Sequence, residues 1–179
     1  MSKVLGSKLF NDVNDELCIE FINYVSDIVC IPEYQLLKTY THHYYTNRYQ
    51  HCLNVAWYSF LMSRKLHLNV RSCTRGAMLH DFYLYENIHT KEEVKKHIQT
   101  HPKVALENAQ RFIRLDDIEI DCIVHHMWPR IKGKPKTKEG YIVTVADKYA
   151  ASLEVCSHPY YAFPKWISKT FQSLQNKFK

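Results

Sequence analysis

The chain has 179 residues, of which 46% are hydrophobic and 23% charged, and its formal net charge at pH 7 is +6. This balance is typical of one folded globular domain and excludes an intrinsically disordered chain. No apolar run is long enough to cross a bilayer, so no membrane partner is expected. The basic residues are spread along the chain apart from one dense run at 130–138, so a nucleic-acid partner is not expected either.

Helices are favoured along the first half of the chain. Glycine is scarce, with only 4 residues, which argues against a sheet with many hairpins. Apolar residues four apart predict a helix over 11–29, and Pro32 either ends that helix or opens a short one. A stronger apolar pattern predicts a second helix over 47–66, and a third is predicted over 70–81.

Two helices are predicted between residues 90 and 112. Thr90 followed by Glu93 is typical of a capping box, so a short helix is expected from there to about residue 98. Pro102 is expected in the first turn of a separate helix, where the missing N–H costs nothing. The break between the two helices is therefore placed just before this proline.

The last part of the chain predicts two more helices and a tail. An aspartate at 116–117 starts a helix that ends near Trp128, because a residue before proline avoids the helical conformation. A polar loop is predicted over 129–138 and a long helix over 139–157. The aromatic segment 158–179 is expected to pack on the core and to close with a short amphipathic helix.

The predicted fold class is all-α, a single compact helical domain of about six to eight helices. Residues 1–179 are expected to form this one domain, with a core at about 47–157. The six cysteines show no CxxC pair, and the N-terminal segment lacks the apolar stretch of a signal peptide. Reduced cysteines and a cytoplasmic location are therefore expected.

Histidine and aspartate residues fall at helix positions that suit a metal ion. Neighbours on a helix point about 100° apart, so an adjacent pair shares a partner only at a helix end, where the dipole also favours a cation. Imidazole and carboxylate together suit Fe, Mn or Zn. For the carboxylate of Asp147, which lies among apolar residues, an arginine such as Arg48 or Arg75 is an alternative partner. The residues of this pattern are His51, His80, Asp81, His101, His125, His126 and Asp147.

The order of these residues resembles the HD-domain superfamily of metal-dependent phosphohydrolases. The matching segments are RYQHCLNVA, GAMLHD and VADKYAASLE, which contain the H, HD and D of that family's motif. The resemblance covers about 48–155 and implies one metal on His51, His80, Asp81 and Asp147.

The remaining histidines resemble the di-metal branch of the superfamily, which includes the HD-GYP phosphodiesterases. His101 stands before a proline, which favours it over His97 as a ligand, and His125 and His126 are adjacent, although no GYP follows them. The resemblance implies a second metal on these three histidines, with Asp81 as the bridging ligand. One or two divalent ions are expected, with Fe or Mn first and Mg, Ni, Zn or Co as alternatives.

The activity that the resemblance implies is hydrolysis of a small phosphomonoester or phosphodiester, with a nucleotide as the expected substrate. Asp81 is expected to bind metal and to hold the nucleophile in line. Arg48, one turn before His51, either holds a substrate phosphate or pairs with a carboxylate. Lys148 is expected to lie on the helix surface or to pair locally. A non-catalytic module that binds metal or nucleotide is the alternative function.

Overall fold

The computed structural model describes residues 16–42, 46–85 and 90–156. Within these ranges the chain forms seven α-helices, and the predicted all-α fold is confirmed. The helices are α1 (Glu16–Val29), α2 (Pro32–Gln35), α3 (Arg48–Lys65), α4 (Val70–Leu79), α5 (Lys91–Gln110), α6 (Asp117–His125) and α7 (Lys138–Cys156). A 3-10 helix (Leu36–Thr39) follows α2, and the strands β1 (Thr41–His42) and β2 (Thr46–Asn47) pair antiparallel. None of the described helices has both the length and the apolar character needed to cross a membrane.

Helix α3 lies at the centre of the domain. It is in contact with α4 and α7 along most of its length, and its buried residues point in all directions around the helix. Trp57 and Phe60 are fully buried, and Phe21 of α1 packs edge-on against both rings, at centroid distances of 5.2 Å and 5.7 Å. The core therefore surrounds the helix that carries His51.

A close approach of α4 and α6 brings two helix ends together. A Cβ atom on Gly76 would lie 2.6 Å from the Cβ of Cys122, so only glycine allows this spacing. Both helices end in a histidine, since His80 caps α4 and His126 caps α6. Their rings lie 4.8 Å apart between centroids. The glycine contact thus sets the separation of two predicted ligands.

The predicted break before Pro102 is wrong, because α5 continues through it. The proline removes one helical hydrogen bond, which usually ends a helix. His101, Pro102 and Ala105 are buried against the rest of the domain, and this packing outweighs the lost bond. The predicted capping box of Thr90 and Glu93 is present and starts the helix.

The other predicted boundaries differ by small amounts. Pro32 opens the short helix α2. The helix predicted from 116–117 begins at Asp117 but ends at His125, earlier than Trp128, because the chain turns and the backbone N–H of Trp128 bonds to the His125 carbonyl. Residues 11–15 of the first predicted helix and the predicted tail 158–179 lie outside the described residues.

One buried carboxylate joins α6 to the start of α7. Asp121 accepts hydrogen bonds from the backbone N–H groups of Lys136, at 3.0 Å, and Thr137, at 2.9 Å. It also accepts from the Thr137 hydroxyl at 2.6 Å and pairs with His125 Nδ1 at 2.7 Å. Gly140 leaves room for this carboxylate, because a Cβ there would lie 2.5 Å from Asp121 Oδ2. The connection 126–137 is therefore fixed at its far end.

We predict that Asp121→Asn lowers the free energy of unfolding by about 1–3 kcal/mol at pH 7, because an amide NH₂ would face backbone donors. Burial raises the pKa of Asp121, but the hydrogen bonds from Thr137 and Lys136 outweigh it and lower that pKa overall. The stabilisation is therefore present above about pH 4 and is lost as the pH falls through the lowered pKa. Urea unfolding of both proteins at pH 7 and pH 3 measures this difference.

The control is Asp117→Asn, since Asp117 is an exposed aspartate on the same helix. It should cost less than about 1 kcal/mol. A difference between wild type and Asp121→Asn that stays constant from pH 7 to pH 3 would contradict the proposed role of the carboxylate.

Candidate metal centre

Five segments of the chain bring six predicted residues into one buried cluster. The two helix ends at His80 and His126 meet the first turn of α3 and the middle of α5 and α7 at this point. We call these six side chains the His/Asp cluster: His51, His80, Asp81, His101, His126 and Asp147. All except Asp147 are buried, and Asp147 is only slightly more exposed. Of the seven predicted ligands, only His125 is not brought into the cluster.

All four histidines of the cluster are oriented in the same way, with Nδ1 bonded outward and Nε2 facing inward. The Nδ1 partners are Ala77 O for His80 at 2.7 Å, His97 O for His101 at 2.9 Å, Ile123 O for His126 at 2.8 Å and the Glu154 carboxylate for His51 at 3.0 Å. A carbonyl only accepts, so Nδ1 carries a proton in His80, His101 and His126, and the neutral form of each of these rings keeps its lone pair on Nε2. This is the orientation that metal-ligating histidines adopt in proteins.

The local backbone explains this orientation at two of the four sites. His80 and His126 are the residues that cap α4 and α6, where the last carbonyl groups have no partner within the helix. Each imidazole donates to the carbonyl three residues earlier and so satisfies one of these groups. The helix end and the ligand orientation therefore support each other.

The first half of the cluster is built around Asp147. Its Oδ1 lies 3.2 Å from His51 Nε2 and 3.8 Å from His80 Nε2. Asp81 Oδ2 lies 3.8 Å from the same His80 nitrogen. Ligand atoms of His51, His80 and Asp147 all fall within 4.8 Å of one another, which is the spacing of a shared ion.

The second half is built around the other oxygen of Asp81. Its Oδ1 lies 3.3 Å from His101 Nε2 and 3.5 Å from His126 Nε2. The two histidine nitrogens are 2.9 Å apart. Asp81 thus presents one oxygen to each half, which is the arrangement of a bridging carboxylate.

The donor atoms fit a divalent transition metal. With Nδ1 protonated in both His101 and His126, two Nε2 lone pairs face each other at 2.9 Å, which is repulsive unless a proton or cation lies between them. His80 Nε2 is buried and has no hydrogen-bond partner among the described residues, a costly state for an imidazole nitrogen. A cation removes both costs, and imidazole with carboxylate is the donor set of Fe, Mn, Zn and similar ions.

Electrostatics keep the cluster carboxylates ionised. Burial raises the pKa of Asp81, but the neighbouring imidazoles of His80 and His101 outweigh it and hold that pKa well below its usual range. The pKa of Asp147 is also well below its usual range, because the hydrogen bond from His51 and the nearby imidazole of His80 outweigh burial. Burial and the charge of neighbouring His80 lower the pKa of His126 to about 3. The carboxylates are thus charged and His126 is neutral at pH 7, as metal ligation requires.

Glu154 also contacts the His/Asp cluster, although the motifs in the sequence did not indicate it. Its side chain is fully buried and pairs with His51 Nδ1, and it accepts from Asn54 Nδ2 at 2.9 Å. Burial lowers the pKa of His51, but the charge of Glu154 and the hydrogen bond to Asp147 raise it to about 10. The spacing of the two acidic residues in the sequence could have indicated this contact. Glu154 follows Asp147 by two helical turns and therefore lies on the same face of α7.

The two arginines considered as partners of the cluster are engaged elsewhere. Arg48 donates to the carbonyls of Tyr83, at 2.7 Å, and Tyr85, at 3.3 Å, and its guanidinium lies 3.6 Å above the Tyr83 ring. Arg75 bonds Glu119 at 2.7 Å and Asp27 at 2.6 Å. Arg48 therefore orders the segment after Asp81, and we leave it out of the proposed catalytic set.

Two further histidines lie beside the cluster. The ring of His125 pairs with Asp121 and faces Gly133, so the structure gives it a role in the connection 126–137. His97 stacks on His101, with centroids 4.5 Å apart, and its Nδ1 bonds the Tyr85 hydroxyl at 3.1 Å. Burial and the neighbouring His101 lower the pKa of His97 to about 4. His101 rather than His97 is the residue beside Asp81.

Comparison with known protein families places the cluster within a family match. The family model described as "HD domain" matches residues 48–152, a range that contains the whole His/Asp cluster. No curated protein matches the chain, and no solved structure does.

We predict that His126→Ala loses one metal ion per chain and that the neighbouring change, His125→Ala, loses none. The reason is that only His126 places its Nε2 beside Asp81, whereas His125 points to Asp121. Elemental analysis of untagged, anaerobically purified protein gives the count, and wild type is expected to hold about two ions. Equal counts in the two variants would contradict this division of roles.

We predict that Glu154→Gln weakens binding of Mn²⁺ about tenfold to hundredfold. The glutamine amide lacks the negative charge with which the Glu154 carboxylate orients His51 and keeps the proton on its Nδ1. Isothermal titration calorimetry on the metal-free protein measures the change. Glu107→Gln on the exposed face of α5 is the matched control and should bind Mn²⁺ as wild type does. An unchanged dissociation constant in Glu154→Gln would remove Glu154 from the centre.

Proposed function

Because the chain belongs to the HD-domain family, we propose that it is a metal-dependent phosphohydrolase acting on a small phosphomonoester or phosphodiester, with a nucleotide as the expected substrate. Family membership supports metal-dependent hydrolysis in general. The observation that carries the proposal is the convergence of four histidine Nε2 atoms and two carboxylates in one buried cluster. Such a set of donors suits a centre with two ions.

The ions would be held by two sets of ligands that share Asp81. His51, His80, Asp81 and Asp147 would hold the first ion. Asp81, His101 and His126 would hold the second, and His125 is omitted because it pairs with Asp121. Four imidazoles favour Fe or Mn over Mg, with Ni, Zn or Co as alternatives.

The chemistry proposed is attack of water on phosphorus with loss of an alkoxide. Divalent ions supply Lewis-acid stabilisation of the phosphate charge and lower the pKa of water, so that hydroxide is available at neutral pH. The chain itself supplies orientation, since the fixed Nδ1 bonds of the histidines leave no freedom for the ligands to reorganise during the reaction. Asp81, which faces both halves, would hold the nucleophile in line with the leaving group.

Burial of the cluster contributes to the same reaction. The four histidines are nearly inaccessible to solvent, so electrostatic interactions inside the centre act at a low effective dielectric constant. The charge that develops on phosphate oxygens is then stabilised by nearby groups and not screened by bulk water. This supports hydrolysis over simple storage of a metal ion.

We predict that Asp81→Ala abolishes both metal occupancy and hydrolysis, with a loss of at least about a thousandfold in kcat/KM, because both halves of the cluster lose a ligand. The assay uses p-nitrophenyl phosphate and bis(p-nitrophenyl) phosphate with Mn²⁺-loaded protein. Asp81→Asn is a second variant that keeps the side-chain shape. Thermal unfolding shows whether either variant is folded.

Asp117→Ala, which removes an exposed aspartate, is the control and should keep full activity. Full activity in Asp81→Asn with metal still bound would contradict the assignment. Two bound ions without turnover of either ester in wild type would favour the non-catalytic binding module.

A further inference from the structure

The side chains of the His/Asp cluster differ in how far solvent reaches them. The side chains of His51, His80 and His126 are 1%, 0% and 1% exposed, and that of Asp81 is 7% exposed. The side chain of Asp147 is 15% exposed, the largest fraction in the cluster. The side of Asp147 is therefore the most open side of the cluster, and the groups beside this carboxylate are the ones most accessible to a ligand.

Lys148 occupies this open side. Its Nζ lies 3.8 Å from Asp147 Oδ2, the carboxylate oxygen that does not face His51. It donates to the carbonyl of His126 at 3.1 Å and to that of Thr144 at 3.3 Å, while 42% of its side chain is exposed. The ammonium is thus held at the rim of the centre by backbone that also carries a proposed ligand.

The geometry of Lys148 leaves it able to bind an anion. An ammonium group has three N–H donors, and the described residues supply two carbonyl acceptors within hydrogen-bond distance. These two bonds fix the position of Nζ and lower the entropy cost of a third bond. The contrast with Arg48 is direct, because the guanidinium of Arg48 is buried and donates to two backbone carbonyls.

A second cation lies near the same rim. Arg130, in the connection 126–137, is exposed. The same connection carries two further exposed cations, Lys132 and Lys134. It follows directly on His126, the residue whose carbonyl accepts from Lys148. Positive charge in this connection favours an anionic substrate.

From these observations we infer that Lys148 binds a non-bridging oxygen of the substrate's phosphoryl group at the open side of the His/Asp cluster. The inference rests on the proposed phosphohydrolase function and deepens it by naming the residue that recognises the phosphate. It takes the place of the role predicted for Arg48 from sequence. Lys148 acts as a substrate-binding residue. Its affinity for a phosphate group is tested with inorganic phosphate.

The competing explanation is that Lys148 only neutralises Asp147. Removal of the ammonium would then change metal binding or stability and leave phosphate binding unaltered. The two explanations can be distinguished. If Lys148 binds substrate, its removal weakens phosphate binding; if Lys148 only supports Asp147, its removal changes the proposed metal ligand. The test therefore measures metal content, phosphate affinity and kinetics in the same proteins.

The experiment compares the full chain, loaded with Mn²⁺, as wild type, Lys148→Met, Lys148→Arg and Lys95→Met. Methionine keeps much of the apolar stem without the charge, and Lys95 is an exposed lysine of α5 that serves as the matched control. Calorimetry gives the Kd of inorganic phosphate, and p-nitrophenyl phosphate gives KM and kcat.

The expected result for Lys148→Met is a rise of about tenfold to hundredfold in the phosphate Kd and in KM, since one charge-assisted hydrogen bond is lost. Metal content should be unchanged and kcat should stay within about threefold. Lys148→Arg should keep most of the affinity, and Lys95→Met should match wild type.

Two outcomes would overturn the inference. The first is a phosphate Kd and a KM within about twofold of wild type in Lys148→Met. The second is loss of metal in that variant, which assigns Lys148 to support of Asp147. Failure of the proposed function looks different, because wild type would then hydrolyse neither ester while the phosphate Kd still reports on Lys148.

Discussion

The Nδ1–H groups of four histidines are the constraint on which the centre depends. Each is bonded to a fixed oxygen, and so each Nε2 faces the same interior volume. Three of these oxygens are backbone carbonyls of the helix that carries the histidine, so the secondary structure itself sets the tautomer. The close approach of α4 and α6 at Gly76 then sets the distance between two of the rings. Little side-chain reorganisation is left for ligand binding.

Burial of the His/Asp cluster is energetically unfavourable, and two features of the cluster bear on this cost. Two carboxylates and four imidazoles are removed from water, which is unfavourable for each charged group taken alone. Mutual pairing offsets part of this cost, as at His51, which lies between Asp147 and Glu154. At His101 and His126 the two Nε2 atoms lie 2.9 Å apart, and a cation or a proton between them would offset the repulsion of their lone pairs.

Much of this could be predicted from sequence, because the main signals are local. Periodic apolar residues gave α3 and α4 to within about two residues, and the HD motif, with the histidines that follow it, contained six residues that meet in the cluster. The differences concern interactions between distant parts of the chain. The break before Pro102 was wrong because burial keeps α5 helical there. The roles of His125 and Arg48 stay predictions, although His125 pairs with Asp121 and Arg48 donates to the carbonyls of Tyr83 and Tyr85. Glu154 was missed because its role depends on the facing of α3 and α7.

Asp121 anchors the far end of the connection 126–137, while its near end is the last turn of α6. The residues between are exposed for the most part, including Arg130, Lys132 and Lys134. Substitutions at these exposed positions are therefore expected to leave His126 and Asp147 in place. The basic surface of this connection and the buried His/Asp cluster can thus vary in sequence independently of each other.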